Sequence, residues 1–430
     1  MNIKISTLLT LFFIGAAPAM AGPVQVIHAG EVLAVPGERP LTERTIVIDG
    51  QRIREIRNGH VDPSSIAEDA ELIDLRDSFV MPGLMDMHVH LQGQLGPDRY
   101  RDRLKLSGAD VLVNSIHYGM NTLMAGFTTV RDVGNSGEEM YAVRDGIEQG
   151  LIDGPRIIAA GGVGITGGHA DVSGLKPEWM ELETDASICD GPYECRRATR
   201  HMIKYGADLI KITSTGGVMT DNNTGTGQQM NDDELLEVVT AAAAMGRKVA
   251  SHAHGTEGIN AALKAGVASI EHGSYTDESS IELFLETGAY LVPTLLAGAT
   301  VVEIAETTDY LSDNVSEKAL RVGNDMKGNF AKAQAAGVKV AFGTDSGISA
   351  HGENAREAVL MHEAGMSNEA ILVSATVNAA DLIDMSDSIG TLEAGKYADI
   401  IAMDGSPIEN IEELLDVDFV MKSGKIFKRK

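Results

Sequence analysis

From Pro82 to Ser388 this 430-residue chain alternates short apolar runs with longer helical patterns, and that alternation constrains the fold more than any other feature. Parallel strands cannot be joined by a tight turn and need a crossover, which is most often a helix. Eight runs qualify as strands: Gly83 to His90, Gly126 to Val133, Arg156 to Thr166, Asp208 to Ser214, Lys248 to His254, Ala268 to His272, Ala289 to Leu295 and Lys339 to Thr344. Among the helical stretches between them, Asp232 to Met245 follows Asn231 and carries Glu234, the spacing of a capping box. Eight βα units close on themselves, so residues 82–388 of this α/β chain are expected to form a (β/α)8 TIM barrel.

The two ends have a different texture. Val24 to His28, Thr45 to Asp49 and Ile53 to Ile56 are short alternating runs between turn residues; Asp399 to Met403 and Phe419 to Phe427 share that character, with Lys422-Ser423-Gly424-Lys425 as a hairpin turn. Residues 22–81 and 389–430 are therefore expected to make one small β-sandwich domain from both termini. Residues 1–21 read as a cleaved signal peptide: Lys4, an apolar stretch from Leu8 to Ala17, then Ala19-Met20-Ala21 as a cleavage signal. The stretch is shorter than the roughly 20 residues of a membrane span, and nothing later resembles one. A periplasmic or secreted protein with no membrane attachment is expected.

Export implies an oxidising compartment, which leaves Cys189 and Cys195, on either side of Asp-Gly-Pro-Tyr-Glu, as a short-loop disulfide or as two unpaired thiols. The formal charge of −27, or −28 once Lys4 is removed, repels phosphate backbones and argues against nucleic acid as a partner.

The chemistry lies at the ends of the apolar runs. His88 and His90 are two apart in a strand, so both point to the same face and can chelate one ion. His252 and His254 repeat the spacing on the fifth run, and His272 ends the sixth. Histidines on three separate strand ends suit Zn²⁺ or a neighbouring transition metal. Asp345 follows Val340-Ala341-Phe342-Gly343-Thr344; alone it reads as a helix cap, but beside a metal a carboxylate can both ligate and accept a proton from water. Lys211 lies inside Ala207-Asp208-Leu209-Ile210-Lys211-Ile212-Thr213, where a charge is costly unless paired or removed. It is either an internal ion-pair partner or an amine that reacts with CO₂ to give a metal-bridging carbamate.

With these positions in place, the chain resembles the amidohydrolase superfamily, and within it the prolidase-like and imidazolonepropionase-like metallo-dipeptidases, ochratoxin-hydrolysing relatives included. The resemblance rests on Pro82-Gly83-Leu84-Met85-Asp86-Met87-His88-Val89-His90, Gly126 to Asp132, His252-Ala253-His254-Gly255, Ile270-Glu271-His272-Gly273, Gly343-Thr344-Asp345-Ser346 and Gly395 to Ile400. It implies two divalent metal ions, with zinc favoured, held by His88, His90, N-carboxylated Lys211, His252, His272 and Asp345, the last also moving protons. It further implies His169 and Tyr275 as groups that polarise the scissile carbonyl or hold a substrate carboxylate, and His254 as a substrate contact. His351 and Asn354 also match, without an assigned role.

The expected reaction is hydrolysis of the amide bond of a dipeptide or N-acyl amino acid with a free C-terminal carboxylate, extending to ochratoxin-type aryl amides. One competing reading is a hydrolase of cyclic amides, whose relatives commonly use one metal and no bridging lysine. Another is an inactive periplasmic binding protein. The resemblance also implies self-association into a homo-oligomer.

Overall fold

The structure, a computed structural model, describes residues 24–430 apart from 135–136, 173–174, 184–185 and 222–224. The expected signal peptide at 1–21 lies outside the described residues. Two seven-stranded sheets organise the chain.

The first sheet draws on both ends: β1 (Gln25–Val32), β2 (Leu41–Asp49), β3 (Arg52–Asn58), β4 (Glu71–Pro82), β12 (Ile400–Met403), β13 (Phe419–Lys422) and β14 (Lys425–Arg429), in the order β14-β13-β12-β4-β1-β2-β3. Only β1 and β4 are parallel; the other neighbours are antiparallel. The edge strand β3 bonds back to the chain just ahead of β12, through Ile53 N to Lys396 O at 2.9 Å and Gly395 N to Ile53 O at 2.8 Å. The sheet thus curls around its own core of Ile27, Ile46, Ile48, Ile73, Ile400 and Phe419. The sandwich-like layering expected from the termini is achieved by one curled sheet. The β13–β14 turn falls at Ser423 and Gly424, both at positive φ (48° and 75°), the pairing that a two-residue hairpin turn demands.

The second sheet is parallel and runs in chain order: β5 (Leu84–Val89), β6 (Phe127–Asp132), β7 (Arg156–Val163), β8 (Leu209–Thr213), β9 (Val249–Ala253), β10 (Ser269–His272) and β11 (Tyr290–Val292). The eighth expected strand is not a regular one. Residues 339–346 nonetheless close the ring: Leu291 N donates to Lys339 O at 2.8 Å on one side, and Met87 N to Phe342 O at 2.8 Å and Asp345 N to His88 O at 2.7 Å on the other. The ladder is broken because Phe342 N donates instead to Ser374 O, and Thr344 N to the Asp86 carboxylate. The expected strand at Ala289 to Leu295 is likewise cut short, since Leu295 opens a helix. The helix after β8, Asp232–Ala243, carries the expected capping box between Asn231 and Glu234. No helix among the described residues is long and apolar enough to cross a membrane.

Gly83 joins the two sheets, between β4 and β5. A Cβ there would lie 2.2 Å from Thr128 Oγ1 and 2.9 Å from Thr128 Cβ, and Thr128 is buried. Gly83→Ala is expected to destabilise the fold by about 1–3 kcal/mol through overpacking. Gly328→Ala, at an exposed helical site with nothing within 4 Å of the new methyl, should instead be neutral or stabilising. Chemical denaturation of the two variants checks the contrast.

Candidate active site

At the C-terminal ends of the barrel strands, His88, His90, His169, Lys211, His252, His254, His272 and Asp345 line one cavity of about 580 Å³. This is within the range of small-molecule sites. The imidazoles crowd together, with ring centres 4.6 Å apart for His252 and His272, 5.0 Å for His88 and His272, and 4.2 Å for His169 and His252. Asp345 Oδ1 lies 3.0 Å from His90 Nε2 and 3.5 Å from His88 Nε2. Two triads bring potential ligand atoms within 4.8 Å of one another: His88 with His272 and Asp345, and His252 with His254 and His272. The second triad includes His254, whose spacing from His252 suits a metal but which the family resemblance implies as a substrate contact rather than a ligand.

The far side of most of these rings is already engaged. His88 Nδ1 meets Glu271 Oε2 at 2.8 Å, His254 Nδ1 meets Ser274 Oγ at 2.8 Å, and His272 Nδ1 meets Thr294 Oγ1 at 2.7 Å. Such partners fix ring orientation and leave the other nitrogen for an ion. Burial pushes His88 down to about 4 and His254 to about 3, and holds His252 and His272 well below the usual imidazole range. Neutral rings keep the lone pairs that a metal needs. The donor set therefore fits divalent metal.

Lys211 is 6 % exposed, and burial pushes its amine down to about 8. Glu271 and Asp345 act on it electrostatically, but among the described residues it makes no hydrogen bond or close ion pair. Asp345 is opposed by burial, yet the neighbouring His88, His90 and Lys211 hold its carboxyl below the ordinary range. The backbone is strained here too: His272, Thr294 and Asp345 have φ of 71°, 51° and 59°, a region that non-glycine residues rarely adopt.

Tyr275 is the expected site residue that the structure does not bring to this cavity. It lines a separate groove with Thr256, Asn329 and Lys332, and its hydroxyl bonds to the Arg321 side chain. Its ring packs behind the apolar wall, near Val218, Val301 and Val322. His351 bonds to Gly93 O at 2.9 Å and stacks on Tyr118, while Asn354 Nδ2 donates to Asp86 Oδ2 at 2.8 Å.

Several buried polar groups went unread in the sequence. Glu271 accepts from Arg131 Nη2 at 2.8 Å and from Ser269 Oγ at 2.5 Å as well as meeting His88, and Arg131 also donates to Met87 O at 2.7 Å. Burial opposes the Glu271 charge, but Arg131 and His88 outweigh it and hold the carboxyl far below its usual range. Asp86 accepts from His88 N at 3.0 Å and Thr344 N at 3.1 Å, and burial pushes it up to about 6. The available signal was a charged residue inside an apolar strand: Arg131 in β6 and Glu271 in β10.

The sequence pattern of the Amidohydrolase family matches residues 79–427. The chain belongs to that family. This amidohydrolase is 32% identical to ochratoxinase from Aspergillus niger, over 94% of its own length and 87% of the relative's. A crystal structure of a Xaa-Pro dipeptidase with methionine bound in the active site is 40% identical, with a TM-score of 0.89, covering 94% of this chain and 100% of that one. A prolidase complexed with N-methylphosphonate-L-proline is 30% identical, with a TM-score of 0.85, covering 95% and 100%. The protein is a hydrolase acting on amide bonds. Cys189 and Cys195 are joined in a disulfide that packs in the barrel's main core.

Proposed function

We propose that this amidohydrolase is an exported, two-metal enzyme that cleaves dipeptides or N-acyl amino acids with a free C-terminal carboxylate. The observation that carries the reading is the shared cavity: a floor of histidines, Lys211 and Asp345 beneath a wall of Val218, Met219, Val301, Val322 and Met326, with Arg99 also on its lining. Among the described lining residues, Arg99 and Lys211 are the lysine and arginine side chains. Arg99 is the group suited to an anionic substrate end; Tyr275 is not among the described lining residues. The apolar wall suits an aliphatic or thioether side chain. The dipeptidase and prolidase relatives support a carboxylate-bearing substrate, and ochratoxinase supports an aryl amide as an extension.

His88, His90, His252, His272 and Asp345 would hold two divalent ions, preferably zinc, with Lys211 between them after carboxylation. In that step the neutral Nζ lone pair attacks the carbon of CO₂, a nitrogen-bound proton is lost to solvent, and an anionic carbamate remains. When bound, the metals supply Lewis acidity and lower the pKa of water. Asp345, ionised at neutral pH, accepts the proton from water and returns it to the leaving nitrogen. His169 is neutral because burial pushes it down to about 4. In the tautomer whose Nδ1 accepts from the Thr220 hydroxyl, the Nε2–H can donate to the carbonyl oxygen as negative charge develops there.

Export is supported by the leader-like residues 1–21 and by the disulfide, a bond typical of oxidising compartments. A panel of N-acetyl-L-amino acids and dipeptides, run after metal analysis, tests the substrate reading. Cleavage of N-acetyl-methionine or N-acetyl-leucine should exceed that of the C-terminal methyl amides by about 10²-fold, the scale of a lost charged contact of 2–3 kcal/mol. Equal cleavage of acid and amide would sink the carboxylate requirement. Ring opening of cyclic amides with one metal and no dipeptide cleavage would favour the competing cyclic-amide reading.

A further inference from the structure

The chain after the eighth barrel segment sends two side chains to the groups that hold the histidines. Asn354 reaches Asp86, whose other oxygen accepts from His88 N. Glu357, fully buried in the first turn of the helix Arg356–Glu363, accepts from Leu295 N at 2.9 Å and Leu296 N at 2.6 Å. Those two N–H groups belong to the first turn of the helix Leu295–Thr307, where no intrahelical acceptor exists for them. Thr294 sits just before that turn, fully buried and at φ 51°, with its N–H donated to Gly343 O at 3.1 Å and its Oγ1 on His272 Nδ1 at 2.7 Å. Thr294, Ala297 and Gly298 also line the cavity.

We propose that Glu357 is a positioning residue: by holding the first turn of Leu295–Thr307 it keeps Thr294 in its left-handed conformation, and through Thr294 it orients the His272 imidazole for metal. Glu357 is absent from the cavity lining and acts through the chain Glu357, Leu295–Leu296, Thr294, His272. A left-handed threonine costs of order 1–3 kcal/mol and persists only where its surroundings impose it. Without the two bonds from Glu357, the turn can relax and the Oγ1 contact swing away. Both carboxyl oxygens can accept an N–H in either protonation state, whereas the amide nitrogen of glutamine cannot, so Glu357→Gln removes one of the two bonds.

The inference rests on the metal-site reading above, so the wild-type protein is tested first: failure to bind Zn²⁺ after chelation and reloading would sink that reading itself. With wild-type binding established, Zn²⁺ affinity is measured by chelator competition at 25 °C for Glu357→Gln, Thr294→Val, Thr294→Ser and the Glu357→Gln/Thr294→Val double variant. Metal-free unfolding midpoints, kcat and KM are followed in parallel. Glu357→Gln and Thr294→Val should each weaken Zn²⁺ binding by about 10–100-fold, the range seen when a partner of a metal-ligating histidine is lost. Their main kinetic effect should fall on kcat rather than KM. Thr294→Ser, which keeps the hydroxyl, should bind near wild type, and the double variant should be no worse than Thr294→Val, as for two members of one chain. A lowered midpoint with unchanged Zn²⁺ affinity in Glu357→Gln would make Glu357 a helix cap only and overturn the proposal. Additive losses in the double variant would do the same. If Glu357→Gln does not fold, unchanged affinity in Thr294→Val overturns it, and a loss there that Thr294→Ser avoids supports it.

Discussion

Asp345→Asn is expected to lower kcat by about 10³-fold or more, near the upper end of what a positioned acid–base group contributes. The substitution keeps the size of the side chain, and an amide oxygen can still face His90 Nε2, which Asp345 Oδ1 meets at 3.0 Å. It cannot take a proton from water. A neutral amide also ligates a metal ion less strongly than a carboxylate. Steady-state kinetics at saturating substrate, paired with metal analysis, separates the two contributions. A variant with full metal content and a thousandfold lower kcat assigns the loss to proton transfer. A variant with wild-type kcat removes Asp345 from the mechanism.

Lys211→Ala is expected to have the second large effect. The side chain carries a depressed amine pKa of about 8 and lines the cavity beside the histidines, so an appreciable fraction of it is neutral at pH 7 and able to react with CO₂. Its loss should lower both metal content and activity, and added formate, acetate or propionate should partly restore both by occupying the vacated space with a carboxylate. Lys211→Arg should not be rescued in the same way, because its guanidinium fills that space with a permanent charge. Full activity and two metals in Lys211→Ala would refute the carbamate proposal.

The alternation of apolar runs carried much of the fold. A strand presents alternate residues to one face, so His88 and His90, or His252 and His254, must converge once the strand lies in a barrel wall. Eight of the nine expected site residues line one cavity: His88, His90, His252, His254 and His272 at or just past strand ends, Lys211 within β8, and His169 and Asp345 in chain outside regular strands. The exceptions have physical causes. Tyr275 follows His272 by three residues, but the turn at His272 and Gly273, both at positive φ, carries the chain out of the cavity, where its hydroxyl finds Arg321. The eighth strand lost its regularity to Asp86, a side chain more than 250 residues earlier that takes the Thr344 N–H.

Local pattern and residue type were enough to determine an α/β barrel, a β layer from both termini and a set of nitrogen and carboxylate donors at one mouth. Periodicity and side-chain chemistry act within a single element, and both are readable along the chain. Only the tertiary structure decided that His254 joins a possible ligand triad, that Arg131 and Glu271 stand behind His88, and that Glu357 reaches His272 through Thr294. Those partners lie on different strands and loops, and a hydrogen bond depends on separations of tenths of an ångström that arise only when the barrel closes.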